Sequence, residues 1–192
     1  MANHDALIVN YAAYESETEF LGTTSADLPD IEFLSEKISG AGLGGEFEEI
    51  IIGQLSAMTT KLSFRTITKR AVKLLEPTEH NVTLLVAQQS VNTVNGNAKI
   101  IPIKHVLKLK PKKTNLGKVA VMSTADVSGE YVTLYYALYI NGKKVTEVDP
   151  VNFICLINGK NYLSNINNIL GLNKKKQKSK KKKTTKKSKK KK

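Results

Sequence analysis

The chain has one cysteine, no tryptophan, five prolines and three histidines in 192 residues. A single cysteine excludes a disulfide framework, and Cys155, set inside an apolar run, is expected to be a buried small hydrophobe. No apolar run approaches the roughly 20 residues that cross a bilayer as a helix. The first five residues lack the cationic and apolar regions of a secretory leader, so the chain is expected to start in a cytoplasm. His4, His80 and His105 show no local ligand spacing, and His105 sits on a mostly apolar strand face, as a hydrogen-bonded core histidine does. H-E-x-x-H, G-x-S-x-G and P-loop patterns are missing, Cys155 has no neighbouring histidine, and Glu48 and Glu49 point to opposite faces of a strand. Catalysis is therefore not expected, nor is a cofactor, a metal or a small-molecule substrate.

Acidic residues are missing from one end. The formal charge of +13 arises in residues 174–192, which hold 14 lysines and no carboxylate, whereas residues 1–173 carry 16 Lys+Arg against 17 Asp+Glu. The body is thus almost neutral, at −1. A Lys/Ser/Thr/Gln block with nothing apolar to bury is expected to be disordered. Its candidate polyanion-binding residues are Lys174, Lys175, Lys176, Lys180, Lys181, Lys182 and Lys183. The division expected is one β domain over residues 1–173 and a poly-lysine tail over 174–192.

Along the body, Ala6, Leu7, Ile8 and Val9 read as a first strand, followed by the acidic residues Glu15, Glu17 and Glu19. Pro29 marks a junction. Residues 31–50 enclose a glycine cluster in which Gly40, Gly42 and Gly45 satisfy G-x-G-x-x-G. No apolar strand leads in, and an acidic, strand-like run follows where phosphates need a helix N-terminus, so a loop or hairpin tip is expected instead. Residues 54–66 alternate, with Met58, Leu62 and Phe64 on one face. Residues 67–75 shift to helical spacing, with Thr66 as N-cap and Pro77 as stop. Asn95-Gly96 reads as a two-residue hairpin turn pairing Val91 with Ile100 and Val86 with His105. Pro111 is expected to end that strand, and residues 118–122 to form a short one. Lys104, Lys108 and Lys110 make a cationic stripe at period two, most simply a solvated face.

Residues 131–172 carry the strongest pattern. Val132, Leu134, Tyr136, Leu138 and Ile140 occupy one face of a strand, and Asn141-Gly142 supplies the two positive-φ positions of a type I′ turn, which sets Leu138 opposite Val145 and Tyr135 opposite Val148. Residues 151–157 read as a buried strand turning at Asn158-Gly159. Ser164 is expected to cap a short helix with Ile166, Ile169 and Leu170 on its apolar face and Gly171 after its end.

Within this stretch, Y-I-N-G-K-K-V-T-E-V-D, Asn152, I-N-G-K-N-Y-L and I-L-G-L resemble the C-terminal half of the major tail tube proteins of contractile phage tails and R-type bacteriocins. The resemblance falls on Tyr135, Tyr136, Asn141, Gly142, Asp149, Asn152, Asn158, Gly159, Leu170, Gly171 and Leu172, and weakens towards Leu28. It implies a mainly β fold: a small β-barrel or sandwich of antiparallel hairpins with one packed helix and a short C-terminal helix, assembling into hexameric rings. The rings would stack into a hollow conduit for DNA delivery or membrane puncture. The partners implied are further copies of the chain, the tail sheath protein, baseplate and tail-terminator proteins, and DNA in transit, in a virion tail or tail-like particle assembled in the bacterial host cytoplasm. Gly40, Gly42, Gly44 and Gly45 would form the inter-subunit assembly loop. The 19 residues beyond Asn173 depart from the family pattern. The alternative is a nucleic-acid-binding β-barrel with a basic C-terminal arm; against it, the body lacks a basic groove studded with aromatics.

Overall fold

The computed structural model describes residues 3–172. The lysine-rich segment, and with it the expectation for residues 174–192, lies outside the described residues.

In chain order the elements are β1 (Asn3–Glu15), β2 (Glu19–Phe20), β3 (Thr23–Asp27), β4 (Phe33–Ile38), β5 (Phe47–Leu55), β6 (Thr59–Phe64), α1 (Lys69–Lys73), β7 (His80–Asn92), β8 (Ala98–Asn115), β9 (Val127–Ile140), β10 (Lys143–Asp149), β11 (Ile154–Ile157), β12 (Lys160–Asn161) and α2 (Ser164–Ile169). The main sheet runs β12-β11-β10-β9-β8-β7-β1-β2, with β3 and β6 branching from β9, and β4-β5 form a separate two-stranded sheet. All pairings are antiparallel. The architecture is mainly β with two short helices, as expected, but the barrel is not closed. β1 pairs with β7 along its length and with β2 only at Tyr14 and Glu15, so its outer edge remains open.

β9 is the spine because it is long enough to serve different partners. Its first half pairs with β6 on one side and its second half with β10, while β8 runs along the other side. Leu134 is skipped in the ladder with β8: Lys108 faces Tyr135 and Leu109 faces Thr133. A one-residue bulge exchanges the faces of a strand. Tyr131 and Thr133 are therefore buried before it and Tyr136 after it. The single apolar face expected over residues 132–140 holds only from Tyr136 onward.

Two hairpin registers also differ from expectation. Asn141 (φ 50°) and Gly142 (φ 75°) form the expected turn. A bulge between Lys144 and Thr146 then moves Leu138 opposite Thr146 and Val148 opposite Tyr136, bringing Val148 into the core. At the other hairpin Val91 faces Ala98 and Val86 faces Ile103. There the Asn92 side chain accepts from the Val94 and Asn95 amides at 2.9 and 3.3 Å, which builds a longer loop than a two-residue turn.

Pro111 does not end β8. The strand continues to Asn115, with an irregularity between Pro111 and Lys113 where the missing N–H is absorbed. Residues 118–122 form no strand, and Val119, Val121 and Met122 are fully exposed. The first helix is shorter than expected and is capped by Thr68, whose hydroxyl accepts from the Ala71 amide at 3.1 Å. The core joins Leu62, Phe64, Leu74, Val82, Leu107, Leu109, Tyr131 and Tyr136, so α1 and the branch strand β6 close one face of the sheet.

Candidate assembly surfaces

The glycine cluster lies at the tip of the β4-β5 arm, as the sequence suggested. Gly40, Gly44 and Gly45 have open space where a Cβ would sit. The arm is exposed along both strands: Leu34, Ile38, Phe47, Ile50, Ile51 and Ile52 are 41–58% accessible. At its base, Gly53 (φ 74°) lies against the Leu163 side chain so closely that a Cβ would collide with Leu163 Cδ2 and Cγ. That contact was not legible in the sequence, since 110 positions separate the partners and Gly53 sits in an otherwise ordinary apolar strand.

A second surface is the open edge of β1, where Leu7, Ile8 and Val9 are 52–61% exposed. An unpaired edge with apolar side chains is a template for another strand. Beside it, on the sheet face away from the core, lies a trough of about 920 Å³ lined by residues including Ala12, Leu85, Ile100, Lys104 and Tyr139.

The C-terminal motif residues gather around two turns. Asp149 accepts from the Asn152 amide at 2.9 Å and its Nδ2 at 2.7 Å, and Phe153 follows with φ 54°. These residues form a turn instead of the first half of the expected strand, which begins only at Ile154. Asn158 (φ 50°) and Gly159 (φ 79°) make the next turn, with Ile157 opposite Lys160. α2 departs from expectation. Ser164 is its first residue, not its cap, and its hydroxyl donates to the Asn161 carbonyl. Ile169 and Leu170 are 83% and 58% exposed, and Asn167 is the buried residue, donating to the Phe153 carbonyl at 2.9 Å. Gly171 (φ 69°) follows the helix, and its amide donates to Asn168.

The three stripe lysines of β8 are electrostatically engaged. Lys104 pairs with Glu17 at 2.9 Å, Lys110 with Glu79 at 3.5 Å, and Lys108 lies 5.9 Å from the Tyr135 ring centroid. This is a compensated face, not a basic groove. Tyr135 in turn donates to Glu147 at 2.9 Å. Burial, then that hydrogen bond, pushes its phenol up to about 12. Tyr131 is likewise raised to about 12 by burial.

His80 and His105 are held by hydrogen bonds within the fold. His105 is buried with Nδ1 3.0 Å from the Tyr136 hydroxyl, and desolvation lowers its basicity. His80 is held between Glu15 Oε1 at 2.9 Å and the Glu76 carbonyl at 3.0 Å, an arrangement the sequence did not signal. Among the described residues no group of three or more His, Cys, Asp or Glu is placed to hold a metal. Cys155 is buried and free, as expected.

An open antiparallel sheet with an unpaired long edge and an exposed arm offers two surfaces to further chains. Residues 5–171 match the family described as phage tail tube protein FII, and the chain belongs to that family. It is a structural tail tube protein, and the family match lends no support to the alternative of a nucleic-acid-binding barrel. No curated protein matches it in sequence. Among solved structures it is similar to a chain of the sheath/tube terminator of the PVC extracellular contractile injection system, at 10% identity and TM-score 0.51 over 71% of this chain and 97% of that one. It is also similar to a chain of the PVC sheath-tube complex, at 11% identity and TM-score 0.49 over 68% and 88%. At 10% identity the likeness to the terminator chain is one of fold.

Proposed function

We propose that this chain is the repeating subunit of the inner tube of a contractile tail, arranged as hexameric rings stacked into a hollow conduit. Sheath surrounds the tube, a baseplate and a terminator close its ends, and DNA or another cargo passes through it. The particle is a virion tail or tail-like assembly built in a bacterial cytoplasm. The observation that carries this reading is the open β1 edge in a chain of the tail tube family. Pairing that edge with a neighbour at a fixed rotation is a head-to-tail contact, which closes into a ring when the rotation divides a full turn evenly. The glycine-tipped arm supplies a second contact to a neighbouring subunit. In this arrangement Asp149, Asn152 and the turns at 141–142 and 158–159 serve the fold rather than a ligand.

The test is negative-stain electron microscopy of the purified full chain beside a truncation after Asn173 and an I8K/V9K variant. Hollow rings or tubes are expected for the first two, and folded, dispersed particles for the third, because lysines on an edge strand block further pairing. Dispersed particles in all three, or tubes unaffected by I8K/V9K, would overturn the edge-built ring.

A further inference from the structure

Charge is sorted along this chain in a way the fold does not use internally. Residues 30–55 hold six carboxylates, Asp30, Glu32, Glu36, Glu46, Glu48 and Glu49, against the single cation Lys37. All are exposed. Among the described residues none of the six makes an ion pair; Glu32 and Glu48 only accept from the hydroxyls of Ser56 and Ser35. Elsewhere in the described body the larger part of the carboxylates are paired: Glu15, Glu17, Glu19, Glu79, Glu130 and Glu147 each meet a lysine or histidine, while Asp27, Glu76, Asp126 and Asp149 do not. The arm is therefore a two-stranded sheet that is apolar, uncovered and uncompensated, and an isolated hairpin of that kind is marginal in water.

The chain carries a matching cation. Fourteen lysines follow Asn173 within 19 residues. The path to them starts at the arm, because Gly53 in β5 packs directly on Leu163, the residue before α2. At about 3.3 Å per residue, 19 residues reach up to about 60 Å, and the nine residues of β5 span about 30 Å. The exposed Ile169, Leu170 and Leu172 precede the lysines, so this end of the chain is apolar and then basic in sequence, as the arm is apolar and acidic.

We propose that the lysine segment, residues 174–192, docks along the acidic β4-β5 arm of its own chain, with Glu46, Glu48 and Glu49 as its principal anchors. Each exposed pair is weak and screened by salt, but the tether holds many of them at an effective concentration on the order of millimolar. The consequence for assembly rests on the ring reading above: symmetry would set arms of like charge side by side, and the segment removes that repulsion. The docking itself does not depend on the ring.

The experiment is zero-length carbodiimide cross-linking of the full chain in an equal mixture of ¹⁵N-labelled and unlabelled protein, read by mass spectrometry at low salt and again at high salt. Links from Glu46, Glu48 or Glu49 to lysines of residues 174–192 are expected between peptides of one isotope only, falling several-fold at high salt. In parallel, truncation after Asn173 is expected to speed amide hydrogen exchange over residues 33–55 several-fold and to leave β7 and β8 unchanged. Links spread equally over Glu17 and Glu79, links of mixed isotope, or an arm whose exchange ignores the truncation would each overturn the proposal. Tubes without arm links would sink this inference and leave the tube subunit intact; arm links without tubes would do the reverse.

Discussion

Glu15 at the end of β1 and His80 at the start of β7 share a buried 2.9 Å hydrogen bond, and Lys73 of α1 lies 3.2 Å from the other carboxylate oxygen. One carboxylate thus ties the open-edged strand, its neighbour and the helix together. Glu15→Ala leaves the buried His80 Nδ1 without its acceptor, and an orphaned buried polar group costs about 1–3 kcal/mol. A drop in the urea midpoint at unchanged slope is expected. An unchanged midpoint would mean that the pair is energetically neutral.

The contact between Gly53 and Leu163 makes a sharper prediction. Gly53→Ala adds a Cβ into the Leu163 side chain at a residue whose φ is already positive. The left-handed backbone alone costs about 1–2 kcal/mol, and displacing Leu163 adds to it. Leu163→Ala relieves the collision but not the backbone strain. The double variant is therefore expected to be more stable than the sum of the two single losses predicts, with a coupling of about 0.5–3 kcal/mol in chemical denaturation. Strict additivity would remove the contact from the account of how the arm is anchored.

Stability should fall at both ends of the pH scale for identifiable reasons. Burial makes His105 harder to protonate in the folded chain, so the unfolded chain binds the proton first and stability is lost as pH falls below about 6.5. Tyr131 and Tyr135 ionise only at about 12 when folded. The unfolded chain releases those protons near 10, so stability is lost as pH rises from about 10 towards 12. Ultraviolet titration of tyrosinate should show a late-ionising group of phenols that shrinks in Tyr131→Phe and in Tyr135→Phe. Ionisation of all seven tyrosines together near 10 would contradict the burial.

What was legible in the sequence was local. Asn141-Gly142 and Asn158-Gly159 encode their turns through adjacent positive-φ residues, and the alternation of β6 places Leu62 and Phe64 in the core. The registers were not legible where a bulge intervenes, because the extra residue is decided by the partner strand: nothing around Leu134 or Val145 announces that β8 or β9 will skip it. α2 misled for a related reason. Its apolar spacing is helical, yet Ile169 and Leu170 face outward and Asn167 is buried, so the spacing does not mark the face that packs on the sheet. The open β1 edge was illegible too, since a strand's sequence does not state how many partners it has. The glycine arm was placed correctly, but its anchor on Leu163 is a long-range contact without local signal.

The glycines themselves divide by role, and substitution separates them. Gly142 holds φ 75° in the β9-β10 turn, so Gly142→Ala is expected to destabilise the monomer by about 1–2 kcal/mol. Gly40, Gly44 and Gly45 have nothing within 4 Å of an added Cβ and no φ in the left-handed region. Alanine at all three should leave the unfolding midpoint within about 0.5 kcal/mol of the parent. If the arm tip meets a neighbouring subunit closely, the same triple variant should form tubes slowly or not at all, read as light scattering against time and checked by microscopy. Normal tube growth by the triple variant would show that the tip needs flexibility or smallness for nothing in assembly. A large loss of monomer stability would instead place the tip inside the fold, against its open surroundings. The expected result, an intact monomer with impaired growth, is the signature of residues whose small size matters only once a second copy arrives.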